Sequence, residues 1–165
     1  CRDLKSMYKK ILLATDGSDH SLKAAKRVAA LAKENKSQVV FFYSEDHHPI
    51  PQDIQFPGPR SFFDFSSYKI PTDDYHRIKE QYKKLAAHTI ETTKAVFDAE
   101  KVAAEGRIIV DISPGDYARE IVRKEHFDLV VAGCKGHHSR LRNAIIGTVA
   151  EKIMNEADCD VLIVR

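Results

Sequence analysis

Apolar residues follow two patterns along this chain: short, nearly continuous runs, and stripes at helical spacing. Continuous apolar runs are typical of strands buried on both faces of a sheet, whereas a spacing of three to four residues is typical of an amphipathic helix. The two patterns alternate from one end of the chain to the other. The runs predict five strands, over residues 11–14, 39–43, 108–112, 129–132 and 161–164.

Helical stripes fill the intervals between these runs. The first helix is predicted over residues 19–35, after a turn in which Ser18 or Asp19 can cap it. A long helix is expected to end at Gly106 and to bury one face, formed by Ile78, Tyr82, Leu85, Thr89, Val96 and Phe97. Two further helices carry the stripes Ala118, Ile121 and Val122, and Val149, Ile153 and Ala157. Strand–helix alternation predicts an α/β fold, a doubly wound parallel sheet with helices on both faces.

The interval 46–72 departs from this pattern. It holds five of the six prolines, which disrupt regular structure, together with five aromatic residues, namely Phe56, Phe62, Phe63, Phe65 and Tyr68. A solvated tether would not need these aromatics, so we expect an ordered insert that packs on the domain or on a partner chain. The remaining pattern predicts a single domain over residues 7–165, preceded by an N-terminal extension, residues 1–6.

Composition narrows the class of protein. The 165 residues are 43% apolar and 30% charged, as in an ordinary globular domain, and the net charge is only +2. Scattered basic residues give no reason to expect nucleic acid as a partner. No apolar stretch approaches the roughly 20 residues that a membrane helix needs, so no membrane is expected. Three cysteines without metal-ligand spacing predict reduced thiols in a cytoplasmic protein.

The candidate chemistry lies where strands end. In an open α/β sheet, ligands bind beyond the carboxyl ends of the strands, where we expect Asp16, Ser44 and the segment 133–148. Glycine lets a backbone approach phosphate closely, and a helix that starts at Gly147-Thr148 offers unpaired N–H groups. Each of these residues also has a plain structural explanation, because Asp16 can cap a turn and loop glycines can serve only as turn residues. Lys135 could pair with a phosphate or remain solvated.

Five segments together resemble the universal stress protein family. The resemblance runs from residue 9 to the C-terminus, apart from the proline-rich insert. They read ILLATDGS at 11–18, GDYAREI at 115–121, DLVVAG at 128–133, GTVAEKI at 147–153 and VLIV at 161–164. The resemblance implies a five-stranded parallel sheet in the order 3-2-1-4-5. It also implies a homodimer formed through the C-terminal strand, residues 161–165.

ATP-binding members of that family carry two glycines separated by two residues, then nine residues, then glycine with serine or threonine. Here Gly133, Gly136 and Gly147-Thr148 match, but ten residues, 137–146, separate the second glycine from the third. One added loop residue costs little closure entropy, so the resemblance still implies an ATP (or ADP or AMP) site, in which Mg²⁺ or Mn²⁺ could accompany the phosphates. It places Asp16 near the ribose or base and Ser44 beside the adenine. The full implied contact set is Ala14, Thr15, Asp16, Ser44, Gly133, Lys135, Gly136, His137, Gly147, Thr148 and Val149.

Two histidine pairs follow the second and fourth strands, His47-His48 and His137-His138. Neutral imidazole is a common metal ligand, so a transition-metal site is an alternative to solvated side chains. Adjacent side chains often point apart, and no cluster of carboxylates completes a ligand set. The sequence therefore does not predict a metal site at these positions.

No nucleophile with an adjacent base stands out, so the sequence assigns no catalytic residue. We expect a cytoplasmic, homodimeric stress protein that acts through nucleotide binding and through a protein partner that the sequence does not identify. Two alternatives remain open. One is a slow ATPase or a self-phosphorylating enzyme, and the other is a nucleotide-free scaffold whose aromatic insert binds a protein.

Overall fold

In the computed structural model, which describes residues 7–45, 72–136 and 146–165, a parallel sheet carries helices on both of its faces. The strand order is β3-β2-β1-β4-β5, as the resemblance implied. The N-terminal extension and nearly all of the proline-rich insert lie outside the described residues, so both remain predictions. The elements are β1 (Lys10–Ala14), α1 (Asp19–Asn35), β2 (Gln38–Ser44), α2 (Thr72–Ala99), β3 (Ala104–Ile109), α3 (Pro114–Glu125), β4 (Leu129–Gly133), α4 (Thr148–Glu156) and β5 (Asp160–Val164).

The position of β1 in the centre of the sheet explains why its residues are apolar without interruption. Leu12 pairs in register with Val40 on one side and with Val130 on the other, so β1 has no free edge. Leu13 faces the core under α1 and α2, and Leu12 faces the core under α3 and α4. Both faces are therefore buried, which is the situation that continuous apolar runs predict.

Helices α1 and α3 both start at a serine cap, and the cap of α1, Ser18, is one of the two residues that the sequence predicts. The hydroxyl of Ser18 accepts from the backbone N–H of Ser21, and that of Ser113 accepts from the N–H of Asp116. These bonds satisfy donors that the first turn of a helix otherwise leaves unpaired. No described helix combines the length and the hydropathy that a membrane crossing requires.

The prediction that Gly106 ends the long helix is wrong. Helix α2 ends at Ala99, and the chain turns at Lys101, whose φ is 57° and whose neighbour Val102 donates to the carbonyl of Phe97 at 3.0 Å. Gly106 lies inside β3 instead, where an added Cβ would stand 2.7 Å from Phe41 Cζ. The glycine is thus required by close packing on an aromatic ring, and β3 begins four residues before the predicted start.

The buried face of α2 also differs from the prediction. Leu85 is 45% exposed, whereas Ala86, Thr89, Thr93 and Phe97 are buried. Thr89 and Phe97 therefore match the prediction, and the ring centroid of Phe97 lies 5.6 Å from that of Phe41. The partly buried Ile90 and Val96 pack on the same core, and the side chain of Ile78 lies outside the described residues. A search for large apolar side chains at helical spacing does not detect Ala86 or Thr93. Two of the four buried residues, Thr89 and Thr93, are threonines.

Candidate functional site

Two loops meet at the carboxyl ends of the central strands. Ala14, at the end of β1, pairs in register with Ala132 of β4, so the chain leaves the sheet at adjacent points. The loop after β1, residues 15–18, then lies beside the loop after β4, residues 133–136. The hydroxyl of Ser18 donates to the carbonyl of Lys135 at 3.3 Å and joins the two. We call them the aspartate loop and the glycine loop.

The carboxylate of Asp16 lies directly over Gly136. Its Oδ1 accepts from the N–H of Ser18 at 3.0 Å, and a Cβ added to Gly136 would stand 2.5 Å from its Oδ2. Any side chain at position 136 would therefore push the carboxylate away. The structure thus places two sequence-predicted residues, from loops about 120 positions apart in the chain, against each other.

The negative charge of Asp16 also acts on the end of β2. Burial, and after it the nearby charges of Asp16 and Glu45, raise the pKa of Tyr43 to about 12. The phenol is therefore neutral throughout the physiological range.

Gly133 has a packing role that accounts for it without a ligand. An added Cβ would meet the backbone nitrogen of Ser21 at 2.8 Å and the carbonyl carbon of His20 at 2.9 Å. Backbone atoms of a helix cannot move aside as a flexible side chain can. The missing side chain at 133 thus allows the first turn of α1 to rest on the end of β4.

The first turn of α4 is held against the glycine loop. Gly147 is the N-cap of α4 and has no side chain to cap it, and its N–H donates to the carbonyl of Cys134 at 2.8 Å. Thr148 is exposed and Val149 is half-buried over the core under α3 and α4. The start of α4 and the Gly136 end of the glycine loop therefore lie together, despite the ten intervening residues.

Ala14, Thr15 and Ser44 lie at strand ends, as expected, but the two hydroxyls point elsewhere. The Ser44 hydroxyl is buried and donates to the carbonyl of Ile112 at 3.4 Å. The Thr15 hydroxyl faces inward, 3.1 Å from the hydroxyl of Thr93. Sequence reasoning missed Thr93, although threonines four residues apart on a helix face, Thr89 and Thr93, offered a signal.

All four histidines of the alternative metal site, His47, His48, His137 and His138, lie outside the described residues. Within residues 7–45, 72–136 and 146–165, no group of three or more His, Cys, Asp or Glu side chains is placed to hold a metal ion. The contact expected from His137 and the metal alternative therefore both stay untested.

The statistical model of the universal stress protein family matches residues 7–165. The chain belongs to the universal stress protein family. Among curated relatives of this universal stress protein, one from Methanocaldococcus jannaschii is 29% identical over 164 residues, which cover 99% of this chain and 86% of the relative. Another, from Bacillus subtilis, is 29% identical over 96% of this chain and 100% of the relative.

Solved structures agree with the fold of this universal stress protein. The UspA protein of Lactobacillus plantarum superposes with a TM-score of 0.70 at 20% identity, over 96% of this chain and 98% of its own. A universal stress protein in complex with cAMP gives 0.65 at 22% identity, over 97% and 99%. An AMP-bound member from Arabidopsis thaliana gives 0.58 at 17% identity, over 94% and 90%.

Proposed function

We propose that this universal stress protein binds an adenine nucleotide, ATP in particular, between the aspartate loop and the glycine loop. We further propose that it acts as a nucleotide-dependent binding protein in a stress response. The observation that carries the proposal is the contact of the Asp16 carboxylate with Gly136, next to a helix start that has no side-chain cap. Both features lie at the carboxyl ends of parallel strands, where open α/β sheets bind ligands.

The two parts of this arrangement suit different parts of a nucleotide. A carboxylate accepts hydrogen bonds, so Asp16 suits the hydroxyls of a ribose or a donor on the base. The N–H groups and dipole of the first turn of α4 favour phosphate oxygens, and Thr148 adds an exposed hydroxyl. Gly136 and Gly147 keep the backbone free of Cβ atoms between these two ends. Lys135 would add positive charge, and Ala14 and Ser44 would border the nucleoside through their backbones.

The neighbours support an adenine nucleotide as the class of ligand. Family structures with cAMP and with AMP carry the adenosine unit that we assign to this site. A triphosphate is the finer proposal, supported by the match of Gly133, Gly136 and Gly147-Thr148 to the ATP-binding pattern. If a triphosphate is bound, Mg²⁺ or Mn²⁺ would neutralise its phosphate oxygens.

Calorimetric titration of the purified protein with ATP, ADP, AMP, cAMP and GTP tests the proposal. We expect saturable binding of the adenine nucleotides, and GTP should bind more weakly. Asp16→Asn should weaken AMP binding roughly tenfold, because one charge-assisted hydrogen bond is lost. Asp19→Asn is the matched control, since Asp19 is exposed in the first turn of α1 and its replacement removes the same charge.

The same experiment separates the alternatives. Absence of binding by every nucleotide would refute the site and leave the scaffold alternative. Equal losses for the two aspartate variants would mean that Asp16 contributes only general negative charge. Hydrolysis of ATP well above that of heat-inactivated protein, and abolished by Gly147→Asp, would support the enzyme alternative. Mass spectrometry of ligand released from freshly purified protein would identify the bound species.

We also propose that the protein is a homodimer that pairs through residues 161–165 and that it acts in the cytoplasm with a protein partner. The dimer is supported by the position of β5 at the edge of the sheet and by Leu162, which is 36% exposed there. An exposed strand edge carries unpaired backbone donors and acceptors that a second copy can satisfy.

A further inference from the structure

A buried group of hydroxyls lies beneath the aspartate loop. Thr15 at the end of β1 is 6% exposed, Ser21 on α1 is 2% exposed, and Thr93 on α2 is fully buried. The Oγ1 atoms of Thr15 and Thr93 are 3.1 Å apart, and the hydroxyl of Thr15 lies 3.3 Å from that of Ser21. One strand and two helices thus contribute polar side chains to a single point in an otherwise apolar core.

The direction of these hydrogen bonds follows from the number of hydrogens. Thr15 donates its one hydroxyl hydrogen to Ser21, and Ser21 donates its own to the carbonyl of Ser18 at 2.9 Å. Because each hydroxyl has a single hydrogen, Thr93 must be the donor to Thr15. The N–H of Gly17 also donates to Thr15 Oγ1, at 3.4 Å. This series of hydrogen bonds therefore begins at Thr93 on α2 and ends at the carbonyl of Ser18, the N-cap of α1.

The aspartate loop runs between Thr15 and Ser18, the two residues at which this series of hydrogen bonds holds it. Asp16 and Gly17 connect Thr15 to Ser18, and Oδ1 of Asp16 accepts from the N–H of Ser18. Gly17 has a φ of 76°, and a Cβ added there would stand 3.3 Å from the hydroxyl oxygen of Thr89. Helix α2 thus supports the loop with two threonines one turn apart.

We propose that Thr93 is a positioning residue for nucleotide binding, because its hydroxyl fixes Thr15 and thereby the loop that presents Asp16. The inference rests on the proposed function of Asp16 but concerns a residue on another element. Thr93 itself is fully buried beneath the loop, out of reach of a ligand at the loop surface. Its effect on a ligand must therefore pass through the conformation of residues 15–18.

Three variants isolate the hydroxyl of Thr93. Thr93→Val keeps the shape and removes the donor, and Thr93→Ser keeps the donor. Thr92→Val is the matched control, because Thr92 is the half-buried neighbour on α2 and takes no part in the chain. We expect Thr93→Val to bind AMP about five-fold more weakly, the change that corresponds to about 1 kcal/mol for one hydrogen bond. Thr93→Ser and Thr92→Val should retain most of the wild-type affinity.

A double-mutant cycle distinguishes positioning from general destabilisation. In an Asp16→Asn background, Thr93→Val should cause little further loss of AMP affinity, because the group that it positions is already altered. Additive losses in the double variant would overturn the proposal. The measurements are made well below the melting temperature of each variant, so that unfolded protein does not contribute.

Hydrogen exchange of the ligand-free protein gives a readout that does not depend on AMP. Thr93→Val should speed exchange of the Gly17 and Ser18 amides about five-fold, while the two other variants leave it unchanged. Unchanged exchange in Thr93→Val would overturn the proposal. If the wild-type protein fails to bind AMP, the nucleotide site is refuted, and the exchange rates still decide whether Thr93 holds the loop.

Discussion

Two glycines of the glycine loop have different neighbours, and the difference gives each a separate function. A side chain at 133 would meet backbone atoms of α1, at His20 and Ser21. Among the described residues, a side chain at 136 would meet only the end of the Asp16 carboxylate. Backbone of a packed helix moves only if the helix moves, but a carboxylate can rotate. Gly133 therefore has a packing role in the fold, whereas we propose Gly136 as part of the nucleotide site.

Alanine at each position should separate these functions. Gly133→Ala should lower the melting temperature by roughly 5–10 °C, because overpacking against a rigid backbone costs about 1–3 kcal/mol. Gly136→Ala should change the melting temperature little but weaken AMP binding roughly tenfold by displacing Asp16. Thermal unfolding and calorimetry on both variants measure the two effects. An unchanged AMP affinity in Gly136→Ala would contradict the position of Asp16 in the site.

Charged side chains form ion pairs that join β1, β3 and α3. Arg107 of β3 makes two hydrogen bonds with the carboxylate of Glu125 on α3, at 2.7 and 3.2 Å, and Lys10 of β1 adds a third at 2.9 Å. Hydrogen bonds from Arg107 and then from Lys10 lower the pKa of Glu125 to about 2. Glu125 thus stabilises the packing of α3 on the sheet while it is ionised.

This shift predicts how stability depends on pH. Because the folded pKa of Glu125 lies below its ordinary value of 4.5, its contribution is complete above about pH 4.5 and is lost as the pH falls toward 2. Glu125→Gln should destabilise the protein by roughly 2 kcal/mol at pH 7, and the difference from wild type should shrink below pH 4.5. Glu120→Gln, an exposed position on α3, is the control in urea unfolding across this range. A pH-independent difference for Glu125→Gln would argue against the ion pairs.

The sequence predicts a strand or a helix end correctly where a single physical rule decides the residue pattern. Strands buried on both faces are apolar throughout, and the serine caps of α1 and α3 have a local signature. The boundary between α2 and β3 was mispredicted because two rules competed at Gly106. The glycine could end a helix or admit a ring, and only the position of Phe41 in space decides.

The candidate site also has a part that the sequence predicts and a part that it does not. Strand ends and loop glycines can be found in a sequence, and these gave Asp16, Gly136 and Gly147. The hydroxyl chain could not be derived, because Thr93 meets Thr15 across 78 positions through the packing of α2 on the sheet. The spacing of Thr89 and Thr93 places both on one face of α2, but it does not say which residue of the sheet that face meets.

At the scale of the whole molecule, the edge strand β5 has backbone donors and acceptors on its outer side that a partner strand can pair with. Among the residues that the structure describes, β5 pairs only with β4, and the side chain of Leu162 is exposed. Antiparallel pairing with the same strand of a second copy would satisfy the free backbone groups and cover Leu162. The sheet would then continue from one protomer to its partner, with the two candidate sites outside the new pairing.

A charge at this strand tests the dimer. Leu162→Lys places a cation on the edge, where two copies would bring like charges together, so we expect a monomer by light scattering coupled to size-exclusion chromatography. Met154→Lys is the matched control, because Met154 is an exposed apolar residue on α4 and gains the same charge. The control should remain a dimer. A dimer in both variants would place the interface elsewhere, and a monomeric wild type would refute pairing through β5. Because Asp16 and Gly136 come from one protomer, the Leu162→Lys monomer should still bind AMP with wild-type affinity.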